Sequence, residues 1–175
     1  MLKKILTIIY IVLFITLIFF IQMFVINNRT LFGVKPNLIL IIVIVVSLWF
    51  GMYKGTIFSF VIGLISDMLF GNTIGMFTIA YTITGIITGY INTSYRRENK
   101  MSLVYVTLIF TALFEFIQYF EYLLMTQTYS SFFFFLRQVI ISSLLNTIIV
   151  FIIYGIIYKI VDKFESNLRY KSAII

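Results

Sequence analysis

Residues 55–75 read GTIFSFVIGLISDMLFGNTIG. Gly55, Ser59, Gly63, Asp67 and Gly71 recur at every fourth position. Residues four apart on a helix lie almost one above another, drifting by about 40° per step. The stretch therefore predicts a helix with a stripe of small residues and a carboxylate set into it. Small residues at this spacing let two helices approach closely, which drives packing in lipid, where no hydrophobic gain is available.

Working outward, the whole chain predicts a membrane bundle. Of its 175 residues 62% are hydrophobic and 11% charged, with a mean hydropathy of +1.10, whereas soluble domains run about one quarter charged. Cysteine and histidine are both absent. That excludes disulfides, thiolate and imidazole metal ligands, Cys nucleophiles and His-based general bases. No cofactor is expected. The net charge of +7 sits at the ends of apolar segments without interleaved aromatics, so it points to topology and anionic lipid, not to nucleic acid.

A spanning helix needs about 20 apolar residues, with about 17 to 25 tolerated. Six candidates follow: about 5–26, 37–50, 56–70, 76–91, 103–125 and 138–158. The first resembles a signal peptide at Lys3-Lys4, but its length and the lack of a small-residue cleavage site mark a retained anchor. Pro36, the one proline, is expected in the first turn of the second span, since it lacks an N–H and has a fixed φ. Residues 51–55, two glycines flanking Lys54, predict a tight turn, so spans two and three form a short hairpin. Trp49 and Tyr53 suit an inner interface, and Tyr129 with Phe132 to Phe135 an outer one. The basic tail from Lys159 is expected to lie along the inner headgroups.

Charge then sets the orientation. With the N-terminus inside, Lys3, Lys4, Lys54, Arg96, Arg97, Lys100, Lys159, Lys163, Arg169 and Lys171 fall on the cytoplasmic side, and Arg29, Lys35 and Arg137 on the outer one. That asymmetry predicts an all-α polytopic membrane protein, a bundle of six transmembrane helices with both termini inside. With no internal repeat and no linker, residues 1–175 are expected to form a single integral membrane domain.

Asp67 is the costly residue, because an ionisable group inside a span usually faces the bundle interior with a partner. It lies near the C-terminal end of its helix, where the dipole disfavours negative charge. Three roles compete: bonding to backbone N–H groups of the turn between Gly71 and Gly75, pairing with Arg137, Lys35 or Arg29, and serving as a proton or ligand site. Gly85 and Gly89, with Tyr81 one turn before, give the fourth span a matching small face. Glu115, Gln118 and Tyr122 share one face of the fifth span and, with Asp67, predict an outward-facing polar groove. The competing reading leaves Glu121 and Arg137 at the interface and the glutamines bonding between helices.

The ordered series Pro36-Asn37-Leu38, Gly51 and Gly55, Gly63-Leu64-Ile65-Ser66-Asp67, Gly71, Gly75, Tyr81, Gly85 and Gly89 resembles the MreD family of rod shape-determining membrane proteins. The specific resemblance covers about a third of the chain, and elsewhere it is one of hydropathy. It implies a non-enzymatic scaffold of the wall-elongation machinery in a bacterial cytoplasmic membrane. It also implies an MreC-like single-span partner. Through that partner the scaffold would join MreB-like filaments, a glycosyltransferase of the shape/elongation/division class and a penicillin-binding transpeptidase. The residues expected to carry structure or partner binding are Pro36, Asn37, Gly55, Gly63, Asp67, Gly71, Gly75, Tyr81, Gly85, Gly89, Glu115 and Arg137.

Two other classes compete. A substrate-binding subunit of an energy-coupling-factor vitamin importer would also use six short helices and an outward polar cavity, but residues 5–26 hold no alanine of the kind such subunits use for docking. A proton carrier would use Asp67 and Glu115.

Overall fold

A computed structural model describes residues 13–26, 30–71, 75–94, 100–126 and 132–172. The Lys3-Lys4 pair, Arg29, the basic loop at Arg96 and Arg97, and the loops at 72–74 and 127–131 lie outside them. Among the described residues five apolar helices make up the fold: α1 (Leu13–Phe24), α2 (Leu38–Phe70), α3 (Met76–Tyr90), α4 (Lys100–Thr126) and α5 (Phe132–Ser172). The protein is thus all-α and polytopic. Lys100–Met125 and Phe132–Ile156 are each long and apolar enough to cross a membrane, Leu38–Phe70 is as apolar over its whole length but folds into two arms, and α1 and α3 are apolar but shorter.

Helix α2 is two arms. Gly51 takes φ 80° and ψ 179°, a conformation open essentially to glycine alone. In a continuous helix, residues eight apart stand about 12 Å from each other. Here a Cβ built on Gly55 would lie 2.7 Å from the Cα of Ser47, so the chain folds back on itself at Gly51. The break frees the carbonyl of Leu48, and the side-chain amide of Asn92 donates to it. The turn is tighter than the expected 51–55: helix resumes at once, and Gly55 is already a packing position of the second arm.

The first arm, 38–50, is buried on nearly all sides, with Leu40, Val43, Ile44 and Leu48 fully enclosed. An apolar helix without a polar face belongs in the middle of a bundle. Trp49 is drawn into this core instead of marking the interface, whereas Tyr53 just past the turn is exposed. The second arm buries Gly55, Ser59, Ile62, Gly63, Ser66 and Asp67 and turns Ile57, Phe60, Val61 and Met68 outward. That outer apolar surface is what lipid requires.

The glycine stripe meets α3. A Cβ on Gly63 would stand 2.5 Å from the Cα of Thr78, one on Gly85 2.0 Å from Ser59 Oγ, and one on Gly89 2.7 Å from the Cα of Met52. Backbones this close leave no space for a further helix. The stripe is thus filled by packing inside the bundle.

Helices α4 and α5 pack together on the far side of the core, burying Leu103, Thr107, Phe110, Thr111 and Phe114 from one and Phe135, Val139, Ser142, Asn146 and Val150 from the other. Phe135 belongs to that core while Phe132, Phe133 and Phe134 are exposed. Helix α5 has 41 residues, which at about 1.5 Å per residue is roughly twice the ~30 Å hydrocarbon thickness. It continues unbroken past Lys159, so no bend lays the described tail along the headgroups.

Candidate functional site

One end of the bundle gathers the polar groups. There α1 finishes, α2 begins, the second arm of α2 passes into α3, and α5 starts near the last turns of α4. Two constellations occupy it.

The first is centred on Asp67, which is 4% exposed. Its Oδ1 accepts from Phe77 N–H at 2.8 Å. Its Oδ2 accepts from Gly75 N–H at 3.0 Å, Thr78 N–H at 3.1 Å and the Thr78 hydroxyl. The first N–H groups of a helix have no partner within it. The residue preceding α3, Gly75, has φ 111° and no side chain with which to cap. Asp67 supplies the cap from the neighbouring helix. The unfavourable dipole at the end of α2 is opposed by the favourable one at the start of α3. A carboxylate accepts about four bonds, and four are made, which compensates the burial of its charge. Gly71 closes α2 by donating its N–H to the carbonyl of Asp67 at 3.0 Å.

The second constellation is a cavity of about 370 Å³. Gln22, Lys35, Pro36, Asn37, Phe77 and Tyr81 line one part of it, and Phe114, Glu115, Gln118 and Gln138 the other. Asn37 ties it together. It is the N-cap of α2, its Oδ1 accepting from Leu40 N–H at 2.9 Å. Its own N–H donates to Asn146 Oδ1 at 2.8 Å. The hydroxyl of Tyr81 sits 2.9 Å from Asn37 Nδ2 and 3.1 Å from Asn37 Oδ1. Tyr81 is 1% exposed and stacks on Phe114 with ring centroids 4.8 Å apart. Pro36 precedes the cap instead of occupying the first helical turn. Its carbonyl accepts from Gln22 Nε2 at 3.1 Å, and Gln22 Oε1 accepts from Leu38 N–H at 3.0 Å. Gln22 reaches both from a π-helical turn at Gln22–Ile26, a local widening often found at functional positions.

Glu115 holds the opposite wall. Its Oε1 accepts from Ser142 Oγ at 2.6 Å and its Oε2 from Gln138 Nε2 at 3.0 Å. Arg137, exposed on α5, points elsewhere: its Nη2 donates at 3.0 Å to the carbonyl of Phe32. That carbonyl belongs to a tight turn in which Leu31 and Val34 exchange backbone bonds of 2.9 and 3.0 Å. Phe32 and Gly33 both take positive φ there, 55° and 79°, which is unusual for a phenylalanine.

The structure thus brings together Pro36, Asn37, Tyr81 and Glu115 around one cavity. It places Gly55 between the two arms of α2, Gly63, Gly85 and Gly89 in the seam with α3, and Asp67, Gly71 and Gly75 at the turn. Asp67 and Tyr122 are not on the cavity wall, so the expected groove is narrower, and the reason is that the bonds of Asp67 are spent on α3. Gln22, Asn146 and Ser142 escaped the reading of the sequence. The signal was present: a lone amide inside an apolar span needs a partner as much as a lone carboxylate does.

Among the described residues no group of three or more acidic side chains is arranged to hold a metal ion. No curated protein and no solved structure matches the chain. The sequence pattern of the family described as rod shape-determining protein MreD matches residues 2–160, nearly the full length, and the chain belongs to that family of non-enzymatic membrane scaffolds in the rod-shape and wall-elongation machinery.

Proposed function

We propose that this scaffold sits in a bacterial cytoplasmic membrane as one domain of six spans, the two arms of α2 counting as two, with both termini inside. The polar end of the bundle, with Lys35 and Arg137, then faces outward, and the Gly51 turn with Lys54 and Lys100 faces the cytoplasm. The family match over residues 2–160 carries the functional reading. The closed seam adds to it: with α2 and α3 filling each other's grooves, a single-span MreC-like partner is left the outer end and the lipid-facing surfaces.

In this reading the turn at Leu31–Val34 is the first contact for the partner's extracytoplasmic segment. Phe32 is 77% exposed there and Arg137 fixes the backbone beneath it. Pro36, Asn37, Tyr81 and Glu115 hold the frame on which that turn stands. MreB-like filaments, a shape/elongation/division-class glycosyltransferase and a penicillin-binding transpeptidase are reached through the partner. Affinity purification from membranes, with identification of bound proteins and small molecules, tests this. The expected result is co-purification of an MreC-like protein and rounding of cells on depletion. A vitamin held at submicromolar affinity with no protein partner would instead favour the importer, and unchanged rod shape on depletion would overturn the scaffold.

A further inference from the structure

Donors and acceptors around the cavity are unevenly spent. On the α2 side, the N–H groups of Asn37, Leu38 and Leu40 are already bonded to Asn146, Gln22 and Asn37. An anion entering there finds those donors occupied. On the α4 side, acceptors are in surplus. The carboxylate of Glu115 accepts two bonds, from Ser142 and Gln138, of the roughly four it can take. Both donors are neutral, and among the described residues no cation pairs with Glu115. A buried carboxylate without a cation is costly. Gln118, one turn further along the same helix face, lines the same cavity, and its amide has no hydrogen bond among the described residues.

From this imbalance we propose that the cavity binds a small ligand bearing a primary ammonium group, placed against Glu115 and Gln118, with its other end toward Lys35 at the exposed rim. A guanidinium fits less well. Its fork needs both carboxylate oxygens on one open edge, and here each oxygen already carries one bond. The ammonium needs one free acceptor on Glu115, a second on Gln118 and water for its third proton. At about 30 Å³ per water-sized unit, the cavity has room for roughly a dozen non-hydrogen atoms. The exposed Lys35 favours a ligand whose far end is anionic, such as an amino-acid-like zwitterion. The same ammonium chemistry is offered by a lysine side chain of a partner protein. The inference needs the cavity alone and does not rest on the scaffold's partner or on the side to which the cavity opens.

The test is calorimetric titration of the purified full-length protein with 5-aminopentanoate, n-butylammonium, butyrate and n-butanol. The two amines are expected to bind, the zwitterion more tightly, and butyrate and butanol are expected not to. Glu115→Gln should weaken amine binding by about tenfold or more. Gln118→Leu changes a side chain with no hydrogen bond among the described residues and so is expected to spare the fold; it should weaken binding by about threefold. Failure of both amines to bind, equal binding of butyrate, or amine binding unaltered in both variants would overturn the proposal. Repeating the titration with the MreC-type partner present assigns the source. Loss of amine binding places a partner lysine in the cavity, and unchanged binding assigns the cavity to a free small molecule.

Discussion

Along the seam between α2 and α3, Gly63 faces the backbone of Thr78 and Gly85 faces Ser59 with no room for a methyl group between them. A few ångströms away, at the polar end, Asn37, Tyr81, Gln22 and Glu115 stand around about 370 Å³ of open space. The seam is made of residues too small to keep helices apart. The cavity is made of residues whose hydrogen bonds fix them in place before they can collapse together. In lipid, where squeezing out apolar surface brings no gain, these are two distinct ways of setting the distance between helices. They fail differently: a seam tolerates no added volume, and a polar frame tolerates no missing partner.

That contrast can be broken most severely at the point where the two regions meet. Asp67→Leu removes the acceptor for three backbone N–H groups and one hydroxyl. At about 1–3 kcal/mol for each buried group left unsatisfied, folded protein should be largely lost from detergent extracts, and normal folding with normal partner capture would contradict the capping role. Next comes the seam itself. Gly63→Ala forces backbone apart and should cost about 1–3 kcal/mol or more, read as a lower melting temperature. Gly85→Ala meets a side chain instead, so adding Ser59→Gly should restore most of its loss, and absence of rescue would mean the clash lies elsewhere.

Within the polar frame, Asn37→Ala removes a cap worth about 0.5–2 kcal/mol and the partner of Tyr81. Its signature is destabilisation together with altered near-UV dichroism of the aromatic stack. The smallest expected effect separates folding from recognition. Phe32→Asn suits the positive φ of that turn better than phenylalanine does, so stability should hold or rise slightly. Capture of the MreC-like partner should fall if the exposed ring is the contact, and unchanged capture would move the contact away from this turn.

The sequence exposes the seam more fully than the cavity, for a physical reason. A four-residue spacing of small residues is local, and so are the limits of an apolar run. The apolar run at 76–91 forms the helix Met76–Tyr90. Glycine at 51 and 55 marks the fold-back, although glycine at 55 serves packing and glycine at 51 alone makes the break. The partners of polar residues are not local. Asp67 needed donors from somewhere, but that it caps the following helix depends on how α3 swings back over α2. The contact of Gln22 with Pro36 depends on a π-turn that no periodicity announces. Trp49 reads as an interface residue by type and is a core residue because the first arm of α2 is surrounded.

Helix α5 extends from Phe132 to Ser172 without a joint, and its last residues, 157–172, add about 24 Å beyond the apolar stretch. A rod anchored in the bundle acts as a lever. Tilting it by about 10° at the bundle moves the far end by roughly 4 Å, a distance comparable to one helical turn of about 5.4 Å. Small adjustments among the packed helices are therefore magnified at that end of α5, while nearer its start the same helix bonds to the frame of the cavity, Gln138 and Ser142 to Glu115 and Asn146 to Asn37.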